Sequence, residues 1–169
     1  MKRSIIKEQK DDDSKAASAD RADQCLKAAL GMLSYRPRSE KEVRTKLGRR
    51  FDSKVIDNTL IQLKKMKLID DAAFAEYWRR RREAHSPRSR KLVGAELRQK
   101  GIDRELIGNV TSDIDDEENA YRAAQKKASA LTGDGFTVFR RKLSSFLYRK
   151  GFSYEVAAHT VNRLWREFS

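Results

Sequence analysis

The side chains best suited to do chemistry in this sequence are guanidinium and ammonium groups, and they fall in two stretches. The first holds Arg79, Arg82, Arg88, Arg90, Lys91, Arg98 and Lys100; the second holds Arg140, Arg141 and Lys142, followed by Arg149 and Lys150. An arginine fork grips phosphate or carboxylate with two parallel hydrogen bonds and also stacks on flat rings. The first set therefore suits either a polyanionic backbone or an acidic protein rim, and the plain alternative for any one member is a solvated charged face. Arg140, Arg141 and Lys142 stand near a helix start, where the dipole does not recruit cations, so contact with a partner explains them better than capping does. Arg149 and Lys150 fall in a last helical turn, where helix stability alone accounts for them.

Other chemistry is sparse. Tyr35 and Tyr148 have freedom to stack on bases, whereas Tyr77, Trp78 and Trp165 lie on apolar stripes and are expected in cores. His85 and His159 are far apart and have no cysteine or paired carboxylate at ligand spacing, so no metal site is expected. The acidic run Asp113, Asp115, Asp116, Glu117 and Glu118 comes from one short segment and reads as the start of a helix rather than a two-metal centre. Gly133-Asp134-Gly135 lacks the Lys-Ser/Thr that a phosphate-binding loop needs. No catalytic constellation is present, and no cofactor is implied.

Charge points to the class of partner. The 169 residues carry 38 Lys+Arg against 25 Asp+Glu, a formal net charge of +13, and a field of that size attracts nucleic acid or an anionic surface. No apolar run is long enough to span a bilayer, residues 1–20 lack the apolar core of a signal peptide, and the lone Cys25 fits a reducing cytoplasm. A monomer is expected, since no heptad repeat supports a coiled-coil dimer.

The elements that must position these cations repeat about every fifty residues. Val43/Leu47, Val93/Leu97 and Leu143/Leu147 each put two apolar side chains on one helical face, and each pair is followed by Phe51, Ile102 or Phe152. The second and third copies write the following turn as Lys100-Gly101-Ile102-Asp103 and Lys150-Gly151-Phe152-Ser153: cation in the last turn, Gly for a left-handed cap, then an N-cap residue. The first copy, Arg49-Arg50-Phe51-Asp52, is one residue shorter and has no such Gly, so its turn is expected to differ.

Ser39 with Glu42 matches a capping box opening a helix over about 40–50; Asp52 is expected to cap the next, running to about Lys67. Asp70 should cap the helix that carries Phe74, Tyr77 and Trp78, with the Arg81 stem laid along that stripe and Arg79 and Arg82 on another face. Ser86 and Pro87 should open the one after. Asp103 caps a third, and the stripe Ala120, Ala124 and Ala128 permits close packing later on. The fold expected is all-α: three tandem three-helix repeats over 21–69, 70–115 and 116–169, elongated and curved, preceded by a flexible arm over 1–20 that is too charged to bury itself.

The segments Leu68-Ile69-Asp70-Asp71-Ala72-Ala73-Phe74-Ala75, Ser86-Pro87-Arg88-Ser89-Arg90-Lys91 and Leu97-Arg98-Gln99-Lys100-Gly101-Ile102, set in a three-helix unit repeated three times, resemble the RecX family of recombinase regulators. The resemblance covers roughly 23–168 and is most specific over 68–107. It implies a non-enzymatic protein that binds the RecA filament on single-stranded DNA, in the filament groove or at its growing end, and suppresses ATP hydrolysis, strand exchange and the coprotease step of the SOS response. Double-stranded DNA is a further ligand under this reading. On it, Arg88→Glu with Lys91→Glu should weaken inhibition and leave helicity intact. One rival is a stand-alone DNA-binding protein with helix-turn-helix-like units, for which Lys54, Gln62, Lys64, Lys65 and Lys67 would be the readers. A second rival is a nuclease, which magnesium-dependent cleavage would reveal.

Overall fold

Amphipathic stripes, with a side-chain cap at six of the starts, produce nine helices and no strand among the described residues. The computed structural model describes residues 2–131, 133 and 135–168, with side chains from Ser18 onward. The helices are α1 (Lys2–Tyr35), α2 (Glu40–Leu47), α3 (Ser53–Lys65), α4 (Asp71–His85), α5 (Arg90–Gln99), α6 (Arg104–Thr111), α7 (Asp116–Ser129), α8 (Phe136–Arg149) and α9 (Tyr154–Phe168). None of them is long and apolar enough to cross a membrane. Two compact units divide the chain, Met1–Phe74 and Ala75–Ser169.

In the first unit, Cys25 and Ala29 from α1 meet Val43 and Leu47 from α2 and Ile56, Leu60 and Leu63 from α3, with Phe51 and Ile69 closing the cluster. The backbone of residues 2–20, expected as an arm, continues α1 as helix, and the side chains of residues 2–17 lie outside the described part. Ser39 caps α2 by accepting from Glu42 N–H at 3.2 Å, while the Glu42 carboxylate takes both Nη groups of Arg36. A second carboxylate serves the same helix start: Asp71 accepts from Glu40 N–H at 2.9 Å. Helix α2 ends at Leu47, short of the expected 50, because Arg50 and Phe51 N–H turn back onto the Leu47 carbonyl. Asp52 holds the N-cap position of α3 without a side-chain cap bond, contrary to expectation. Helix α3 stops at Lys65, two residues early, since Lys67 adopts φ 56° and Leu68 N–H reaches the Leu63 carbonyl.

In the second unit, Ala120, Ala124 and Ala128 bring α7 against α8 and α9, where Phe139, Leu143, Leu147, Phe152, Ala157, Val161 and Leu164 are buried. Val93 and Leu97 from α5 are buried with Ile102, Ile107 and Ile114, and Gly94 is placed so that a Cβ there would meet Ile107 Cγ2 at 3.3 Å. Ser89, not Ser86 or Pro87, opens α5. Its hydroxyl accepts from Leu92 N–H at 3.1 Å, and the backbone is still extended at Ser89, so Pro87 stands before the helix and not in its first turn. Asp116, at the start of α7, accepts from Arg90 N–H at 2.7 Å, as Asp71 does for α2.

The two Gly turns fold as expected. Gly101 (φ 84°) and Gly151 (φ 87°) are left-handed, and each turn carries the paired bonds Ile102 N–H to Leu97 and Gly101 N–H to Arg98, or Phe152 to Leu147 and Gly151 to Tyr148. Gly151 is needed for a second reason. A Cβ there would lie 2.5 Å from Ser89 Oγ and 2.7 Å from Leu92 Cβ, and Ser89 N–H donates to the Lys150 carbonyl at 3.1 Å. The turn after α8 is thereby seated on the start of α5.

Candidate cationic interface

One carboxylate organises the central cations. Glu96, on α5 with a side chain only 12% exposed, accepts from Trp78 Nε1 and Arg82 Nε at 2.8 Å each through Oε2, and from Arg88 Nη1 through Oε1. Arg82 and Lys100 also lie over the Trp78 ring, at 4.6 and 4.0 Å from its centroid, which the ring quadrupole favours. Lys150 arrives from the α8 turn and donates to Ser86 Oγ at 2.8 Å. Burial, and then the nearby charges of Arg88 and Arg82, push the Lys150 ammonium below the usual lysine range, with Glu96 opposing. Arg88 Nε is buried and has no hydrogen-bond partner among the described residues. Three cations thus crowd one acid, and the acid binds two of them.

The other central candidates divide into held and free. Arg79 is clamped on both sides, by Glu76 at 2.6 Å and Glu83 at 2.9 Å, while Arg82, three residues along the same helix, turns to Glu96, so each guanidinium has its own carboxylate. Arg79, assisted by Arg80, holds the Glu76 carboxyl down to about 2 despite some burial. The Arg81 fork reaches Tyr77 Oη at 2.8 Å, consistent with its stem lying along the stripe. Arg90 spends its guanidinium on the Ile114 carbonyl at 2.8 Å. Lys91 and Arg98 are exposed and have no carboxylate partner among the described residues. On α3, Lys64 pairs with Glu40 at 2.6 Å, which withdraws one of the residues a helix-turn-helix reader would use.

The later candidates present a different surface. Arg140, Arg141 and Arg149 are exposed on α8, again with no carboxylate partner among the described residues, and Lys142 is exposed beside them. Between α8 and α9 lies a groove of about 630 Å³ lined by Arg140 and Arg141 together with Phe136, Tyr148, Tyr154 and Asn162. Trp165 lies behind Phe136, 5.3 Å between ring centroids, and edge-on to Phe139 at 5.1 Å, so it packs as expected.

Two features escape a reading of the residues one by one. Glu96 is the hub of the first cluster, and its signal was that it is the only acid in α5, between Val93 and Leu97 in the stripe. Tyr154 and Phe136 join Tyr148 in the groove, and no spacing rule links residues on two separate helices. The acidic run has structural tasks: Asp115 caps α7 through Glu117 and Glu118 N–H, Asp116 caps α5, and Glu117 meets His159 Nδ1 at 2.7 Å.

Three-helix repeats, an internal carboxylate hub and a helix with exposed cations define a basic all-α repeat protein. Comparison with known proteins narrows the class. Profiles of the first, second and third three-helix domains of RecX match residues 25–63, 70–110 and 115–161. Regulatory protein RecX of Chlorobium phaeobacteroides (strain BS1) is 37% identical over 139 residues, covering 82% of this chain and 91% of that protein. The protein of the same name from Mycobacterium ulcerans (strain Agy99) is 34% identical over 147 residues, 83% and 84% of the two chains. The crystal structure of RecX from Lactobacillus salivarius superposes with a TM-score of 0.69 at 29% identity, over 86% of this chain and 97% of that one. A second crystal structure, of a regulatory protein RecX, gives 0.72 at 25% identity, over 88% and 75%. The chain belongs to the RecX family.

Proposed function

We propose that this chain is a cytoplasmic, non-enzymatic regulator of homologous recombination and the SOS response, acting as a monomer on the RecA filament formed on single-stranded DNA. It restrains the filament's ATP hydrolysis, strand exchange and coprotease activity. The observation that carries this reading is the similarity to proteins named Regulatory protein RecX along more than four-fifths of the chain. The net charge of +13 supports it, because a filament wound on a polyanion offers phosphates and protein carboxylates together. Several weak cationic contacts held on one scaffold give avidity without any single strong site.

Candidate contacts are the cations left without internal carboxylates, Lys91 and Arg98 on α5 and Arg140, Arg141 and Arg149 on α8. Arg88 is a poor choice for charge reversal: a glutamate there would face Glu96 and disturb the fold, so Lys91→Glu with Arg98→Glu replaces the pairing with Arg88. The test is DNA-dependent ATP hydrolysis by the cognate RecA, with this protein titrated in at a salt concentration where it no longer binds bare DNA. Inhibition well below one molecule per recombinase subunit, weakened in the Lys91/Arg98 variant, is expected. No inhibition at saturation overturns the reading and leaves a stand-alone DNA-binding protein.

A further inference from the structure

The groove between α8 and α9 combines features that stability does not require. Phe136, Tyr148 and Tyr154 line it and remain 39%, 44% and 74% exposed, although the core beneath is complete with Phe139, Leu143, Val161 and Leu164 fully buried. Phe136 leans on Trp165, and beside it the exposed rings of Tyr148 and Tyr154 offer an apolar surface to flat partners. Beside them stand Arg140 and Arg141, and none of the residues lining the groove is acidic. Ser145 and Arg141 also belong to a shallower basin of about 320 Å³ whose other walls are Lys127, Lys142 and Arg149, so a cationic track leads out of the aromatic groove along α8.

A ligand for such a track must offer planar apolar faces and regularly spaced negative charge in one flexible chain. An acidic polypeptide supplies the charge but leaves the rings unused. Duplex DNA supplies the charge with its base faces already stacked on one another. A single strand supplies both, since every base has a free π-face and every linkage a phosphate. We infer that the α8–α9 groove holds single-stranded nucleic acid, with bases against Tyr148 and Tyr154 and phosphates on Arg140 and Arg141. This deepens the reading above by assigning the strand itself to one place on the chain, and it is measured without any recombinase.

The experiment is fluorescence anisotropy of the full-length protein with a labelled oligo(dT) of about twenty nucleotides and with a duplex of equal length, across a salt series. Tyr148→Ala with Tyr154→Ala is expected to weaken oligo(dT) binding at least about tenfold and duplex binding less than about twofold, and Tyr148→Phe with Tyr154→Phe to restore most of it. Arg140→Gln with Arg141→Gln is expected to flatten the log–log salt slope on the single strand by about 1.4. Both tyrosines are exposed, so the alanine variant keeps its helicity, which circular dichroism checks. Unchanged oligo(dT) affinity in the alanine variant, or an equal loss on duplex, overturns the assignment. So does polyglutamate displacing the strand equally from wild type and the alanine variant, which would give the groove to an acidic polypeptide. Tyrosine-dependent strand binding by a protein that leaves recombinase ATPase untouched would overturn the filament reading and leave this one standing.

Discussion

Arg82 and Arg140 belong to the same compact unit and to the same residue type, yet one is part of the scaffold and the other is not. Around Glu96, Arg82 and Arg88 exchange water for a carboxylate that also accepts from Trp78 Nε1, while the nearby Lys150 donates to Ser86 Oγ. Along α8, Arg140 and Arg141 have no carboxylate among the described residues and stand among exposed rings. A strongly basic composition therefore says little about which cations meet a partner. The distinguishing quantity is the local supply of acid, because a guanidinium hydrogen-bonded to a half-buried carboxylate cannot be withdrawn cheaply to serve a ligand.

The two regions meet at the turn that follows α8, and the largest effect is expected there. Gly151→Ala forces a side chain into φ 87° and sets its Cβ 2.5 Å from Ser89 Oγ, so α8 and α5 must separate or the turn must rearrange. A loss of about 3 kcal/mol is expected, read as a fall of roughly 10 °C in the thermal transition. A loss below about 1 kcal/mol would mean that the α5 and α8 regions are not mechanically joined through this turn.

Glu96→Gln tests the scaffold directly. The amide keeps the shape and can still accept from Trp78 Nε1, but two guanidinium groups lose their counter-charge while Lys150 stays nearby. About 2 kcal/mol of destabilisation is expected in urea unfolding. A stability equal to wild type would show that Arg82 and Arg88 are as available to partners as Arg140.

A smaller effect attaches to Glu76, whose carboxyl lies at about 2 in the folded chain against an ordinary 4.5. A depressed carboxyl pKa adds stability that is present above the unfolded value and disappears as pH falls through the folded one. Stability should accordingly decline between about pH 4.5 and 2, with Glu76→Gln flattening that part of the profile in acid titrations followed by circular dichroism. Because Glu76 is a third exposed, solvent screening keeps the contribution modest. An identical slope in the variant would remove Arg79 from the set of internally held cations.

Much of this contrast is invisible in the sequence, although the fold is not. The stripes Val43/Leu47, Val93/Leu97 and Leu143/Leu147 are buried as their four-residue spacing requires, and Gly101 and Gly151 are left-handed where a cation-Gly-apolar turn demands it. These are local patterns, fixed within one or two helical turns. Ser89 was harder to see than Ser86, because Ser-Pro is a strong local start signal and only the Gly151 turn packed onto Ser89 reveals where α5 begins. The hub joins positions 78, 82, 88 and 96, and the groove joins two helices through Arg140 and Tyr154. Charge counting along the chain cannot pair residues that only the packing of helices brings together, so the seven candidate cations between 79 and 100 read as one surface when four of them, Arg79, Arg82, Arg88 and Arg90, are held by internal acids or a carbonyl.

The smallest expected change in stability is also the most informative. Arg140→Gln with Arg141→Gln removes two charges from a chain of net +13, near the start of α8, where the helix dipole opposes cations. Neither residue gives up a carboxylate partner, and both are exposed, so folding loses no hydrogen bond among the described residues. Stability should stay within about 0.5 kcal/mol of wild type, with any shift toward greater stability, whereas Arg82→Gln should lose about 2 kcal/mol through Glu96 and Trp78. Paired urea titrations of the two variants decide it. If both lose stability alike, α8 is scaffold as well. If only Arg82→Gln does, then Arg140 and Arg141 are cations that folding does not need, retained at some electrostatic cost and free to meet a ligand in the groove beside them.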